Sequence, residues 1–298
     1  MNIPVTAIVP WALSAVMLAL ALDLPADAWR NWQRHRQRLL RVELGSCVLI
    51  PLLGFALLKL PLAQHLSSEA RHALALMAVC PSAPLILRKA GRQGGDPGLA
   101  ALLQVGAAMV AIVSVPLLAD LGKHVFALEG WDVRPRHVAM QVGQIQLLPL
   151  LLGLGIRRWR PNLADRLQGP LNRLANTLLV LLLVAVLVKT APALLSFALN
   201  NGLAVLFMGV LILASLALGF ALGGNEPQQQ TTSALVTSMR NPGLALVLAS
   251  SHASDHPMIK LAILLYVLIT VALSTPLLSW RRQFVFRCVI RPGDQAEP

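Results

Sequence analysis

Residues 231–251 read TTSALVTSMRNPGLALVLASS. The run has the length and apolarity of a membrane-spanning helix, yet Arg240 stands in its middle, followed at once by Asn241, Pro242 and Gly243. A charge at bilayer depth costs about 2.5–3.5 kcal/mol on insertion scales, so such residues face a protein interior or a water-filled cavity. Proline lacks the N–H of the helical ladder and clashes with the preceding turn, while glycine tolerates an unwound backbone beside it. A charge beside a helix break inside an apolar span is one way to build a binding site near the membrane midplane. The competing reading is a proline-kinked helix whose arginine snorkels to a surface, and Arg240 is too central for that.

The whole chain has the same character. Of its 298 residues 56% are hydrophobic and 13% charged, and the mean hydropathy is +0.67. Apolar runs recur from end to end without strict alternation, which predicts membrane helices rather than a closed barrel. Spans are expected near 3–22, 42–60, 70–87, 98–121, 138–156, 174–195, 203–222, 231–251 and 258–279. Nothing marks a boundary within this series, so 1–298 reads as one transmembrane domain. The first basic residue is Arg30, which argues against a cleaved secretory signal at the start. Cys47, Cys80 and Cys288 have neither metal-ligand nor disulfide-framework spacing and read as small apolar fillers.

A net charge of +12 and a pI near 11.1 would suit a nucleic-acid partner, but the distribution of the charge does not. With the N-terminus outside, alternate connections hold seventeen of the 25 basic residues: five in 30–41, three in 88–92, five in 157–173 and four in 281–291. That asymmetry is the positive-inside rule for nine helices with a cytoplasmic C-terminus, and it explains the charge without nucleic acid. Anionic lipid is the generic partner of such segments.

Polar residues within the spans are few. The third span carries Cys80-Pro81-Ser82-Ala83-Pro84, two prolines in four positions, and is expected to be broken as the eighth is. Two interrupted helices, one in each half and of opposite orientation, point to an inverted repeat with a site where the breaks cross. Gln104 lies in the fourth span; in the fifth, helical spacing puts Gln141 and Gln144 on one face with Gln146 turned away. Such amides either glue helices together or line a cavity. Thr237 and Ser238 precede Arg240 closely, where hydroxyls commonly bond back to their own helix. His252, Asp255 and His256 read as a solvated outer loop rather than a metal site. No nucleophile–base pair, phosphate loop or HExxH sequence is present, and no enzyme is predicted.

Taken in order, LALDLPADAWRNW, IPLLGFALLKL, ALMAVCPSAP, GGDPGLA, LLPLLLGLGIRRWRP and SMRNPGLALVLA resemble the bile acid:sodium symporter family over nearly the whole chain. The resemblance implies a core domain and a panel domain related by inverted repeats, two unwound helices crossing in the core, and alternating access. It also implies the nine-span form, without an extra leading helix found in some members. Members that use sodium carry Ser-Asn after the first break, and a Glu four residues before Gln-Asn in the second crossing helix. Here those positions hold Ile86-Leu87, Val236 and Arg240-Asn241. Three apolar side chains offer sodium no oxygen, and a guanidinium, always protonated, repels a cation.

The expectation is therefore an all-α polytopic carrier of the plasma (inner) membrane for a small organic anion, with no cofactor and with sodium coupling disfavoured. A non-transporting membrane sensor or structural subunit on the same fold is the second reading. Candidate solute contacts are Pro81, Ser82, Pro84, Gln104, Thr237, Ser238, Arg240, Asn241, Pro242 and Gly243, with Arg240 as charge anchor. Labelling of single introduced cysteines in whole cells is expected to place residues 30–41 on the cytoplasmic side; labelling from outside would overturn the nine-span count.

Overall fold

The computed structural model describes residues 5–24, 28–84, 86–126, 135–252 and 257–289. Helix α1 (Val5–Leu22) is followed by α2 (Ala28–Leu44), which runs through a wide π-turn at Gly45–Leu49 into α3 (Ile50–Leu58). A short 3₁₀ turn leads to α4 (Ser68–Val79), capped by the Ser67 hydroxyl on the Ala70 N–H. After a break come α5 (Ile86–Arg92) and α6 (Pro97–Phe126). Helix α7 (Pro135–Val142) passes through a second π-turn at Gly143–Leu147 into α8 (Leu148–Trp159), and α9 (Pro161–Asn200) and α10 (Gly202–Leu222) come next. Helix α11 (Pro227–Ser238), a second break, α12 (Pro242–His252) and α13 (Pro257–Val289) complete the chain.

The described residues are nearly all helical, and five stretches are long and apolar enough to cross a membrane: His35–Leu58, Pro97–Gly122, Pro135–Trp159, Gly202–Leu222 and Met258–Gln283. Shorter apolar helices cover Val9–Leu22, Val184–Asn200 and Pro242–Ser251. Both predicted breaks are present, at Cys80–Pro84 and at Met239–Asn241. Helix ends differ from the apolar windows in a consistent way. Residues 30–41, expected as a connection, belong to α2, and the basic residues 166 and 173 lie inside α9. Leaving the apolar layer ends hydrophobicity, whereas a helix ends only at a breaker or a cap, and no proline or glycine interrupts 28–44.

Three packed groups position the centre. Helix α1 lies along α8 and α9, where Val16 and Ala19 meet Ala175. The largest group joins α3, α4, α10, α12 and α13 around Ala73, Met77, Met208, Leu211, Leu244, Ile263 and Tyr266. Beside it, α2, α5, α6 and α11 share a second cluster, with Leu39, Val42, Leu103 and Val236, that Met17 and Leu20 of α1 and Leu150 of α8 also join. Exposed leucines and valines, such as Val113, Leu117, Val188 and Leu199, form the outward surface, as lipid contact requires. Small residues let the helices approach closely. At Gly219 of α10 a Cβ would stand 2.7 Å from the backbone nitrogen of Ala234 in α11 and collide with the Thr237 hydroxyl.

Gly219→Leu should therefore force α10 and α11 apart, at a cost of about 1–3 kcal/mol. A thermal melt in detergent is expected to show a lower midpoint for this variant, and an unchanged midpoint would contradict the described packing.

Candidate functional site

Proline chemistry sets up the centre of the molecule. In α4 the carbonyl of Met77 would normally accept from the residue four positions on, which is Pro81 and has no N–H. The chain is already extended at Cys80, with ψ 132°, so the Ala78 carbonyl also lies beyond the ladder. A similar loss occurs in the π-turn. The Ile50 N–H bonds to Gly45 O, one residue further back than in an α-helix, and the next N–H would belong to Pro51. The Ser46 carbonyl is thereby left without either helical partner.

One side chain receives all three carbonyls. Arg240 donates from Nε to Met77 O at 3.1 Å, from Nη2 to Ala78 O at 2.6 Å, and from Nη1 to Ser46 O at 2.9 Å and Ser46 Oγ at 3.0 Å. The guanidinium is 2% exposed and lies at the C-terminal end of α4, where the helix dipole favours a cation. The planar fork suits this task, because several donors leave one group in fixed directions.

The two breaks are also joined through their backbones. Ser82 and Arg240 form an isolated antiparallel bridge: the Ala83 N–H donates to Met239 O and the Asn241 N–H to Pro81 O, both at 2.8 Å. Unwound backbone buried in an apolar layer must find such partners. From α6, Gln104 clamps the first break with a reciprocal pair. Ser82 Oγ donates to Gln104 Oε1 at 2.9 Å, and Gln104 Nε2 donates to Ser82 O at 3.1 Å. Asn241 caps α12 by accepting the Leu244 N–H at 3.1 Å, with Pro242 at the first helical position. Its Nδ2, buried, has no hydrogen-bond partner among the described residues. Gly243 faces Leu13 of α1, and a Cβ there would approach that side chain to 2.9 Å.

Pro81, Ser82, Gln104, Arg240 and Asn241 are thus brought into one crossing, with Pro84 and Pro242 beside it and Gly243 on the α1 side. Thr237 and Ser238 are turned elsewhere. Thr237 Oγ1 faces Ser215 O of α10 at 2.7 Å and Ser233 O at 3.0 Å, and Ser238 Oγ donates to Ala234 O at 2.6 Å. Arg240, expected to face a solute, is bonded to the protein itself, because proline-freed carbonyls lie within its reach. Of the residues that stand where sodium-using relatives have ligands, Ile86 and Val236 are buried in the apolar cluster around α6. The side chains of Leu87, His252, Asp255 and His256 lie outside the described residues.

The glutamines of the fifth predicted span meet different surroundings. Gln144 is exposed and Gln146 buried, while Gln141 Nε2 donates to Ser251 Oγ at 2.7 Å. Gln144 and Gln146 both lie in the π-turn at Gly143–Leu147 and face apart, as the spacing expects. Two residues were not singled out from the sequence: Ser46, which accepts from Arg240, and Glu43, which lies outside the crossing's hydrogen bonds. Glu43 stands at the edge of the apolar run, yet α2 begins fifteen residues earlier and buries it. The usable signal was Gly45…Pro51, repeated as Gly143…Pro149: the same seven-residue glycine–proline spacing brackets each π-turn.

Arg240→Met should leave three buried carbonyls without their donor, at about 1–3 kcal/mol each. A markedly lower unfolding midpoint is expected, with Arg240→Lys intermediate because an ammonium cannot serve the same set of directions. A methionine variant as stable as the parent would contradict this geometry.

Comparison with known proteins agrees with the architecture. The model of the Sodium Bile acid symporter family matches residues 10–197 and so ends within α9, before the second broken helix. The chain is also similar to the Bacillus subtilis (strain 168) protein described as "Uncharacterized sodium-dependent transporter YocS". Identity is 25% over 251 residues, covering 81% of this chain and 73% of that protein. The family match spans well over half of the sequence, and the chain belongs to the sodium bile acid symporter family of membrane transporters.

Proposed function

We propose that the protein is a secondary carrier of a small organic anion in the plasma (inner) membrane, with its N-terminus outside and its C-terminus in the cytoplasm. The supporting observation is the guanidinium fixed where the two broken helices cross, bonded to Met77, Ala78 and Ser46. A carrier of anions has to offset negative charge within a low-dielectric layer, where unlike charges attract far more strongly than in water. Arg240 supplies that offset as a permanent part of the fold and acts through its field, since most of its donors are engaged. The unpartnered Asn241 Nδ2 is the donor left to meet a solute carboxylate directly. Ser82, Gln104 and Gly243 would shape the cavity edge as the α1 side and the crossing helices separate. Nine spans related by an inverted repeat, with alternating access between a core and a panel domain, complete this reading.

Family membership and the relative's name both suggest sodium coupling. At this crossing the cation role falls to Arg240 instead. Sodium takes several hard oxygen ligands, and here Ile86 and Val236 offer hydrocarbon while a guanidinium holds the freed carbonyls. A second cation beside it would meet direct repulsion.

Uptake of radiolabelled organic anions, with taurocholate as first probe, can be measured in proteoliposomes bathed in sodium, potassium or choline at matched voltage and pH. Saturable uptake of similar rate in all three is expected. Uptake that requires sodium would overturn the assignment of Arg240, and no uptake of any anion tested would favour the non-transporting reading.

A further inference from the structure

A second intramembrane charge lies close to Arg240 and has no role in the crossing. Glu43 of α2 is 6% exposed and sits within the apolar stretch His35–Leu58. Its Oε2 accepts from the Cys47 thiol at 3.7 Å, and its Oε1 makes no hydrogen bond with the described residues. Space for that oxygen is made by Gly106 of α6, where a Cβ would stand 2.8 Å from Oε1 and the Trp32 ring closes the other side. Leu39, Val42, Leu103 and Ala108 belong to the surrounding apolar cluster. Any larger residue at 106 would make the carboxyl shift from this place.

The groups that face Glu43 are few. Cys47 lies one turn along its own helix, the Ala107 amide faces it from α6, and Arg240 acts on it from the crossing without forming an ion pair. Helices α10 and α11, which also pack on this end of α2, contain no titratable residue, and those of α6 begin only at Asp120, near its far end. A carboxylate here is supported by the field of Arg240; a carboxylic acid suits the apolar walls. A metal ion is not favoured, because it needs several oxygen or nitrogen ligands, and no group of three such side chains occurs among the described residues.

We infer that Glu43 is a proton-binding site within the membrane, taking one proton from water on one side and releasing it on the other as the carrier changes conformation. The step is a simple protonation: a carboxylate and a hydrated proton become a carboxylic acid, with no other bond changed. It rests on the transport reading for its purpose, since proton binding here would couple anion movement to a proton gradient without sodium.

Infrared titration of the purified protein in lipid tests the site without any solute. Stepping the buffer from acid to alkaline is expected to give one carboxylic-acid band that is present in the parent and missing in Glu43→Gln, which conserves shape. Cys47→Ala, which removes the thiol donor, should displace the midpoint of that band. A parent-minus-variant spectrum without the band, or a midpoint unmoved by Cys47→Ala, overturns the proposal. Vesicles loaded with a pH dye and given taurocholate test the coupling. The lumenal pH response should fall at least tenfold in Glu43→Gln while taurocholate counterflow persists, and an equal response in both proteins overturns the coupling. A parent that takes up no anion yet shows the Glu43 band would remove the transport reading and keep the proton site.

Discussion

Buried carbonyl oxygens without donors are the constraint on which this structure depends. Pro81 and Pro51 each take an N–H out of a helix in an apolar layer, where water cannot replace it. Left alone, the Met77 and Ala78 oxygens of the broken α4 and the Ser46 oxygen of the π-turn would be buried acceptors without donors. One guanidinium meets all three, and in doing so ties α4, the π-turn of the second span and the second break together. The arginine's own cost is offset in the same contacts, since its charge lies at a helix C-terminus among oriented dipoles.

The functional architecture is built on that constraint. Both breaks leave short extended segments whose remaining backbone groups bond across the crossing, at Ala83–Met239 and Asn241–Pro81. Gln104 then holds Ser82, and Asn241 starts α12 with one amide donor still unpartnered. The result is a polar, positively charged centre beside α1, which packs on α8, α9 and α12.

Much of this was legible in the sequence, and the rest was hidden for physical reasons. Hydropathy marked the spans, and prolines beside Arg240 and in CPSAP marked both breaks, because these features are local. The partner of Arg240 was not local. Its ligands are mainly backbone carbonyls, which carry no residue signature, and they belong to distant parts of the chain. The π-turns escaped for a related reason. An extra residue in a helical turn shifts later side chains around the axis, yet no single residue type announces it. Glu43 was masked by hydropathy itself: the apolar window begins beside it, while the helix that buries it begins far earlier.

A double-mutant cycle tests most directly whether Arg240 exists to serve the carbonyls that proline frees. Unfolding midpoints would be compared for the parent, Arg240→Met, Pro81→Ala and the double variant in the same lipid-detergent mixture. Alanine at 81 restores an N–H for Met77 O, so the loss caused by Arg240→Met should shrink by about 1 kcal/mol or more in that background. Strict additivity of the two substitutions would show that the guanidinium and the broken helix are independent, and would contradict the account.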